Sequence, residues 1–353
     1  MSMTDYLIAR IRRTGPLSVA EYMAECLLHP TLGYYTTRDP LGASGDFTTA
    51  PEISQMFGEL LGLSLAQSWL DQGAPAPFIL AEAGPGRGTL MADILRATRA
   101  VPSFHAAMRL HLIEASPTLR AEQASRLSQY APVWHDTLAT LPDGPTYFVA
   151  NEFFDALPIR QFIRSGDNWA ERRVTETDGT LSFALTAPTP VADLDHRLDD
   201  TEDGNLVELC APAAAIAADL GTRIATHGGV ALIVDYGDWR SLGDTLQALR
   251  AHQHTDPLTD PGQADLTAHV DFEALALAAA PARFTRLCTQ GVFLERLGIT
   301  QRAQALAQRL TGPALDDLIA AHRRLTHPAE MGTLFKVIGL YPDGQTPPPG
   351  LEP

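Results

Sequence analysis

A chain of 353 residues and 38.1 kDa can bury a large core and favours two structural units over one. Its 26 basic and 42 acidic residues leave a formal charge of −16, which argues against nucleic acid as a partner and favours cationic partners such as arginine-rich protein segments, unless the acidity serves solubility alone. Three cysteines far apart (Cys26, Cys210, Cys288) do not make a disulfide framework and point to a reducing compartment, and no apolar run reaches the length of a membrane span.

Residues 5–13 set Leu7, Ile8 and Ile11 at helical spacing among arginines. The segment runs straight into structured sequence, so a folded first helix is expected there in preference to a transit peptide. Ser18, with Glu21 three positions on, forms a capping box for a second helix over 19–28. HPTLGYYTTRDPLGASGDFTTAPEIS follows, a polar, glycine-rich loop carrying Tyr34, Tyr35, Asp46 and Phe47. A loop of this length inside a domain is functional or disordered, and its aromatic content favours function. Pro51 then opens a helix predicted over 52–70, with a broad apolar face running from Ile53 to Leu65.

The stretch FILAEAGPGRGTL, residues 78–90, organises the rest. An apolar run ending at Glu82 has the pattern of a buried parallel strand; Gly84, Gly86 and Gly88 follow at alternate positions, and a helix begins at Thr89. Strand, glycine turn and helix let bare backbone approach a nucleotide-like ligand at the carboxyl edge of a sheet. Dinucleotide enzymes use G-x-G-x-x-G and rest a pyrophosphate on the helix N-terminus. Here Thr89 stands where that pattern wants its third glycine, and a carboxylate precedes the first. S-adenosylmethionine carries an ammonium and a sulfonium in place of phosphate, so it suits the acidic residue better than NAD does. The motif resembles the first motif of class I methyltransferases; a plain βα turn with glycines for tight packing is the structural alternative.

MRLHLI, residues 108–113, is a second predicted strand ending at Glu114, where an acidic residue meets ribose hydroxyls in a Rossmann unit or caps the helix predicted over 117–130. His135-Asp136 ends a further strand; an adenine contact for Asp136 and a plain turn stand level. TYFVA, residues 146–150, leads into Asn151, Glu152 and Asp155, which leave the carboxyl end of a central strand and are the catalytic candidates. Residues 159–187 alternate like an antiparallel meander, followed by acidic linker sequence over 192–203, an alanine-rich helix over 212–227 and a buried strand over 230–234 ending in Asp235. His252, His254, Asp256, Asp265, His269 and Asp271 form a polar cluster that lacks the strand context and following histidine of a metallo-hydrolase, so no metal is expected and loop residues over a cofactor crevice are the better reading. Two last strands are predicted over 283–287 and 332–341.

Together GYYTTRDPLGASGDFTTAPEISQMFGELLG, EAGPGRGTL, EASPTLRAEQ, VANEFFDALPIRQF, IVDYG, DPLTDPGQADLTAHVDF, TQGVFLERLGI and MGTLFKVIGL resemble, in order over residues 5–341, the MidA-type family. That family is the bacterial and mitochondrial group of S-adenosylmethionine-dependent methyltransferases whose mitochondrial members serve respiratory complex I assembly by methylating an arginine of a complex I subunit. The resemblance implies an α/β fold: a class I methyltransferase Rossmann-like sheet with an N-terminal helical region and an inserted antiparallel β/helical subdomain. Residues 1–72 are expected to hold the N-terminal helices and the loop of Gly45, Asp46 and Phe47, residues 73–158 and 228–345 the cofactor-binding core, and residues 159–227 the insert or lid. It further implies S-adenosyl-L-methionine as cofactor, with S-adenosyl-L-homocysteine as product, and an arginine-bearing protein substrate. Glu82, Gly84, Gly86 and Gly88 would border the methionine part, Glu114 the ribose, and Gly45, Asp46 and Phe47 would close the crevice. Ala83 departs from the leucine common in the family.

The working mechanism is in-line methyl transfer, with Glu152 holding the arginine cation and Asn151, Asp155, Asp46 and Glu52 as partners. A non-catalytic assembly chaperone that binds the cofactor and a small-molecule methyltransferase are the rival readings, and a nicotinamide-dependent enzyme is disfavoured by the glycine spacing. The location expected is the cytoplasm of a bacterium or the mitochondrial matrix of a eukaryote; a homodimer stays open.

Overall fold

The computed structural model describes residues 1–37, 49–250 and 253–353, so Gly45, Asp46, Phe47 and His252 lie outside the described residues. Seven strands form the central path, in the spatial order Arg283–Phe284, Phe335–Tyr341, Gly229–Asp238, Thr146–Asn151, Phe78–Ala83, Met108–Ile113, Val133–His135. All run parallel except Phe335–Tyr341, which is antiparallel to both its neighbours. That reversed strand is the close expected of a class I methyltransferase sheet. The chain order reverses between Phe78–Ala83 and Thr146–Asn151, whose register pairs Ala83 with Ala150. A ligand crevice belongs outside the carboxyl ends of strands at such a switch.

The sheet is buried on both faces, and its side chains alternate between two cores. Leu80, Tyr147, Val149, Leu232 and Val234 face one side, against the helices Gln55–Asp71 and Thr89–Thr98. Ile79, Ala81, Phe148, Ala150 and Ile233 face the other, against Ala211–His227 and Phe272–Ala278. The helix predicted over 52–70 is two: Ala50–Ile53, then Gln55–Asp71, broken at Ser54. Ser54 is extended and its hydroxyl accepts from Met56 N at 3.2 Å, which restarts the helix as an N-cap does. Gln55–Asp71 is buried almost all round because Gly62 lets it lie on Thr89–Thr98; a Cβ there would come within 2.9 Å of Ile94 Cα.

Arg160–Ser165, Asn168–Thr177 and Thr180–Leu185 form the antiparallel meander read from the alternation, extended by Leu206–Leu209 on one side and by Leu17–Ser18 on the other. The capping box is present in both arms: Glu21 N donates to Ser18 Oγ at 3.1 Å and Ser18 N to Glu21 Oε2 at 2.8 Å. The acidic stretch after the meander is a 3-10 helix, Ala192–Asp199, where linker was expected, with Leu194 and Arg197 buried beneath it.

Residues predicted as loops over the crevice form a third small sheet of Gln247–Arg250, Gln253–Thr255 and Asp265–Thr267. Its inner side chains, Ala248 and Leu266, pack with Met3, Leu7, Tyr22 and Met23 of the first two helices. The final pair of strands is shorter than predicted at one end, Arg283–Phe284, and preceded by a helical turn, Met331–Leu334, at the other. Among the described residues no helix is long and apolar enough to cross a membrane.

Candidate active site

Glu82 is the penultimate residue of its strand and shares a face with Leu80, so its carboxyl group turns inward toward the helix that follows the glycine turn. It is 2% exposed. Burial first, and then the nearby Glu114, push it up to about 8, against a backbone N–H of Met91 in the first turn of the helix. Its Oε2 is buried without a hydrogen-bond partner. The turn itself needs glycine: Gly84, Gly86 and Gly88 have φ of 62°, 52° and 78°. A Cβ on Gly84 would also meet the Phe153 ring at 2.9 Å.

Glu114 is not the helix cap; Ser116 is, accepting from Leu119 N. The Glu114 carboxylate accepts from Ser116 N at 2.8 Å and from Gln123 Nε2 at 3.2 Å. Gln123 is fully buried and also donates to Gly86 O at 2.7 Å, while its own oxygen accepts from Trp134 Nε1 at 2.8 Å. One amide thus ties the second strand end to the glycine turn. Burial raises the Glu114 carboxyl, with Ser116, Gln123 and Arg120 opposing. Asp136 is 84% exposed and held by Arg120, which also donates to Glu114 O.

Across the crevice, Asn151 ends its strand 8% exposed, and Glu152 follows with φ of 51°, a left-handed conformation that a branched chain would resist. Glu152 Oε1 accepts from Ala50 N and from Asn151 Nδ2, each at 3.1 Å. Burial raises its carboxyl and these two donors lower it. The loop is fixed from below by Asp235, whose Oδ2 accepts from the amides of Phe153, Phe154 and Asp155 at 3.2, 2.9 and 3.3 Å while Oδ1 accepts from Tyr236 N at 2.9 Å. Burial, with Glu152 close by, still pushes Asp235 up to about 8. Asp155 is held well above the carboxylate range by burial first, then by Asp235, Asp265 and Glu152. Asp265 receives the Tyr35 hydroxyl at 2.9 and 3.0 Å on its two oxygens.

The structure therefore brings Glu82, Gly84, Gly86, Gly88 and Glu114 together on one side of the switch point and Asn151, Glu152 and Asp155 on the other. Glu52, expected among the acids around Glu152, instead accepts from Thr89 Oγ1 at 2.5 Å at the glycine turn's helix. Sequence reasoning missed Gln123 and Asp235 as site residues, and placed Asp265 only among the polar residues of a loop over the crevice. Gln123 carried a signal, a polar residue four positions after Leu119 on the inward face of its helix. Asp235 had the signal of every strand-end acid in this sheet. Asp265 stood out only as one of a polar cluster, and a strand of the third sheet, not a loop, delivers it. Among the described residues no group of histidine, cysteine, aspartate and glutamate could hold a metal.

The cofactor crevice is chemically matched to S-adenosylmethionine. An orphaned buried acceptor on Glu82 wants a cation, Glu114 offers acceptors one strand away, and the glycines leave room that a Cβ would fill. A parallel sheet with one reversed strand, a glycine turn at its switch point and carboxylates at two consecutive strand ends defines a class I methyltransferase. Residues 60–288 match the family model described as "Putative S-adenosyl-L-methionine-dependent methyltransferase", and the chain belongs to that family. It is similar to "Protein arginine methyltransferase NDUFAF7, mitochondrial" of Xenopus laevis, at 37% identity over 97% of this chain and 84% of the relative. The human protein of the same name is 36% identical over 96% of this chain and 83% of its own length. A crystal structure from Burkholderia thailandensis, bound to S-adenosyl-homocysteine, matches with a TM-score of 0.81 and 30% identity, covering 96% of this chain and 91% of that one. The resemblance read from the motifs is borne out, and with it the methyltransferase activity and S-adenosyl-L-methionine as cofactor.

Proposed function

We propose that the chain methylates an arginine side chain of a protein substrate. The observation that carries this reading is Glu152: a half-buried carboxylate, aimed by two donors and carried on a left-handed backbone conformation, at the carboxyl end of the strand facing the glycine turn. The names of the relatives support it. Bound S-adenosylmethionine supplies an electrophilic methyl group, and everything else falls to the chain. Glu82 answers the cofactor's positive charge and Glu114 its hydroxyl groups. Gly84, Gly86 and Gly88 let the backbone come close. Glu152 holds the guanidinium by charge-assisted hydrogen bonds and presents one nitrogen for in-line attack; Asn151 and the Ala50 N–H keep its carboxylate aimed. Asp155 is the second carboxylate within reach of that cation. For each methyl gained the guanidinium loses one N–H proton, and the surrounding carboxylates are its nearest acceptors.

The substrate to try first is the complex I subunit that the sequence resemblance implies, in the mitochondrial compartment named for the relatives or in its bacterial counterpart. Incubation of the purified protein with labelled S-adenosylmethionine and that subunit should place label on an arginine, located by fragmentation mass spectrometry. A tight complex with the subunit and no label would point to an assembly chaperone instead; label transferred to small molecules alone would point to a small-molecule methyltransferase.

A further inference from the structure

A cavity of about 480 Å3 lies beside the crevice, between the insert and the core, and none of Glu82, the three glycines, Glu114, Asn151, Glu152 or Asp155 lines it. Its size falls among ligand pockets, which run from about 300 to 1,000 Å3. Small side chains leave the space: Ala211, Ala213 and Ala214 in the first turn of Ala211–His227, with Ala268 and Ala274. The floor is apolar, with Phe154, Leu194, Val270 and Leu275 each at most 5% exposed. At the rim stand Leu277, 60% exposed, and the exposed Asp193 and His196, so the cavity opens between the 3-10 helix Ala192–Asp199 and the helix Phe272–Ala278. Apolar walls open to water carry a cost that an apolar ligand removes.

Charge narrows the class of ligand. Four carboxylates line the cavity (Asp193, Glu208, Asp271, Glu273) against two guanidiniums (Arg160, Arg197), an excess of two negative charges. The guanidiniums are taken. Arg160 Nε donates to Glu171 Oε1 at 2.8 Å, and Arg197, 3% exposed, donates to Asp200 Oδ1 at 3.0 Å with Asp271 at 3.8 Å. Glu208 accepts from Gln161 Nε2 at 2.7 Å and from Thr245 N at 3.0 Å, and Glu273 is held by Arg240. The partners outside the wall, Glu171 and Asp200 against Arg240, do not reverse the sign. Asp193 acts on Arg160 by charge, without a hydrogen bond to it, and His196 likewise acts on Glu273. The N-terminus of Ala211–His227, which no side chain caps, pulls the other way, but its roughly half positive charge does not offset an excess of two.

We propose that this cavity binds a small apolar molecule carrying an ammonium group, its apolar body against Phe154, Leu194 and Leu275 and its cation toward Asp193 at the rim. The site touches the Glu152 loop from behind. Phe154 follows Glu152 by two residues and its amide is held by Asp235 Oδ2 at 2.9 Å, while Ala268 N, from the cavity wall, donates to Asp155 O at 2.9 Å. A ligand that fills the space therefore braces the loop, because opening it would break contacts on both faces. None of this rests on the arginine reading.

The test uses the full chain saturated with S-adenosylhomocysteine and three probes of one shape: 3-phenylpropylamine, 3-phenylpropan-1-ol and 3-phenylpropionate. Calorimetry should show one amine bound per chain, the alcohol about threefold weaker and the acid about threefold weaker again, the size of factor that an exposed charge gives. Asp193→Asn should bring the amine down to the alcohol, and added salt should compress the series. Ala214→Trp, which fills the cavity, should remove binding of all three with S-adenosylhomocysteine affinity unchanged. In the parent chain the bound amine should slow amide hydrogen exchange over residues 151–158 and leave residues 82–90 as they were. No saturable binding of any probe, undiminished binding in Ala214→Trp, or the acid binding as well as the amine would overturn the proposal, as would amine binding that leaves exchange over 151–158 unchanged.

Discussion

The two sides of the crevice are built differently. The cofactor side is local: Glu82, the three glycines, Glu114 and Gln123 all lie between residues 82 and 123, in one continuous passage from a strand to the helix that follows the next strand. The acid side is assembled from distant pieces. Glu152 is steadied by Ala50, its loop hangs on Asp235, and Asp155 feels the charge of Asp265, carried by a sheet that packs on the first two helices. A site made from one passage forms as soon as that passage folds; a site made from four needs the whole tertiary structure. The first half is suited to a cofactor shared by many enzymes, whereas the second can be changed piece by piece to suit a substrate.

Substitutions should separate the halves, and the largest effect is expected at the glycine turn. Gly84→Val places a β-branched chain at φ of 62° and a Cβ against Phe153, so S-adenosylhomocysteine binding should fall below detection by calorimetry. Retained binding would mean that the turn is architecture only. Glu152→Gln should lower methyl transfer about a hundredfold, on the order of 3 kcal/mol for a lost charge-assisted clamp, with cofactor affinity within about threefold of the parent. Loss of cofactor binding in that variant would show that the halves are not separable.

Glu82 offers a finer test. Burial and the nearby Glu114 push it up to about 8, and a cofactor cation favours its ionised form. Cofactor binding then expels a proton below pH 8, so affinity for S-adenosylmethionine should climb from pH 6 to 8, by about tenfold per unit at most, and level off above. Glu82→Gln should erase that slope. Smaller still is a stability effect outside the crevice. His111 Nδ1 lies 2.8 Å from His135 Nε2, and burial first, then His135, depress His111 to about 4. An unfolded histidine takes its proton near pH 6.5, so stability is full above that value and is lost as pH falls toward 4, by about 1–2 kcal/mol at pH 5. Denaturant titrations at pH 7.5 and 5 should show the loss in the parent and much less of it in His111→Phe. Asp136→Ala should change cofactor affinity by less than about twofold, because a surface ion pair contributes little.

Much of this site was legible before any coordinates, for identifiable reasons. A buried parallel strand must be apolar throughout, so an acid at its end stands out; Glu82, Glu114, Glu152 and Asp235 are all of that kind. The left-handed turn needs glycine wherever the chain bends. The break at Ser54 was not legible, since an apolar pattern runs through it unbroken and only the competition of its hydroxyl for a backbone amide ends the turn. Nor was the third sheet, whose strands of three and four residues are too short to show a period.

The amino-acid sequence by itself determined the switch-point crevice, its glycine cradle and its strand-end acids, because each follows from a local rule of burial or backbone geometry. Only the tertiary structure decided which acids share a neighbourhood. Asp155 and Asp265 stand 110 positions apart in the chain, and what couples them is a charge repulsion that exists once water has been excluded from between them.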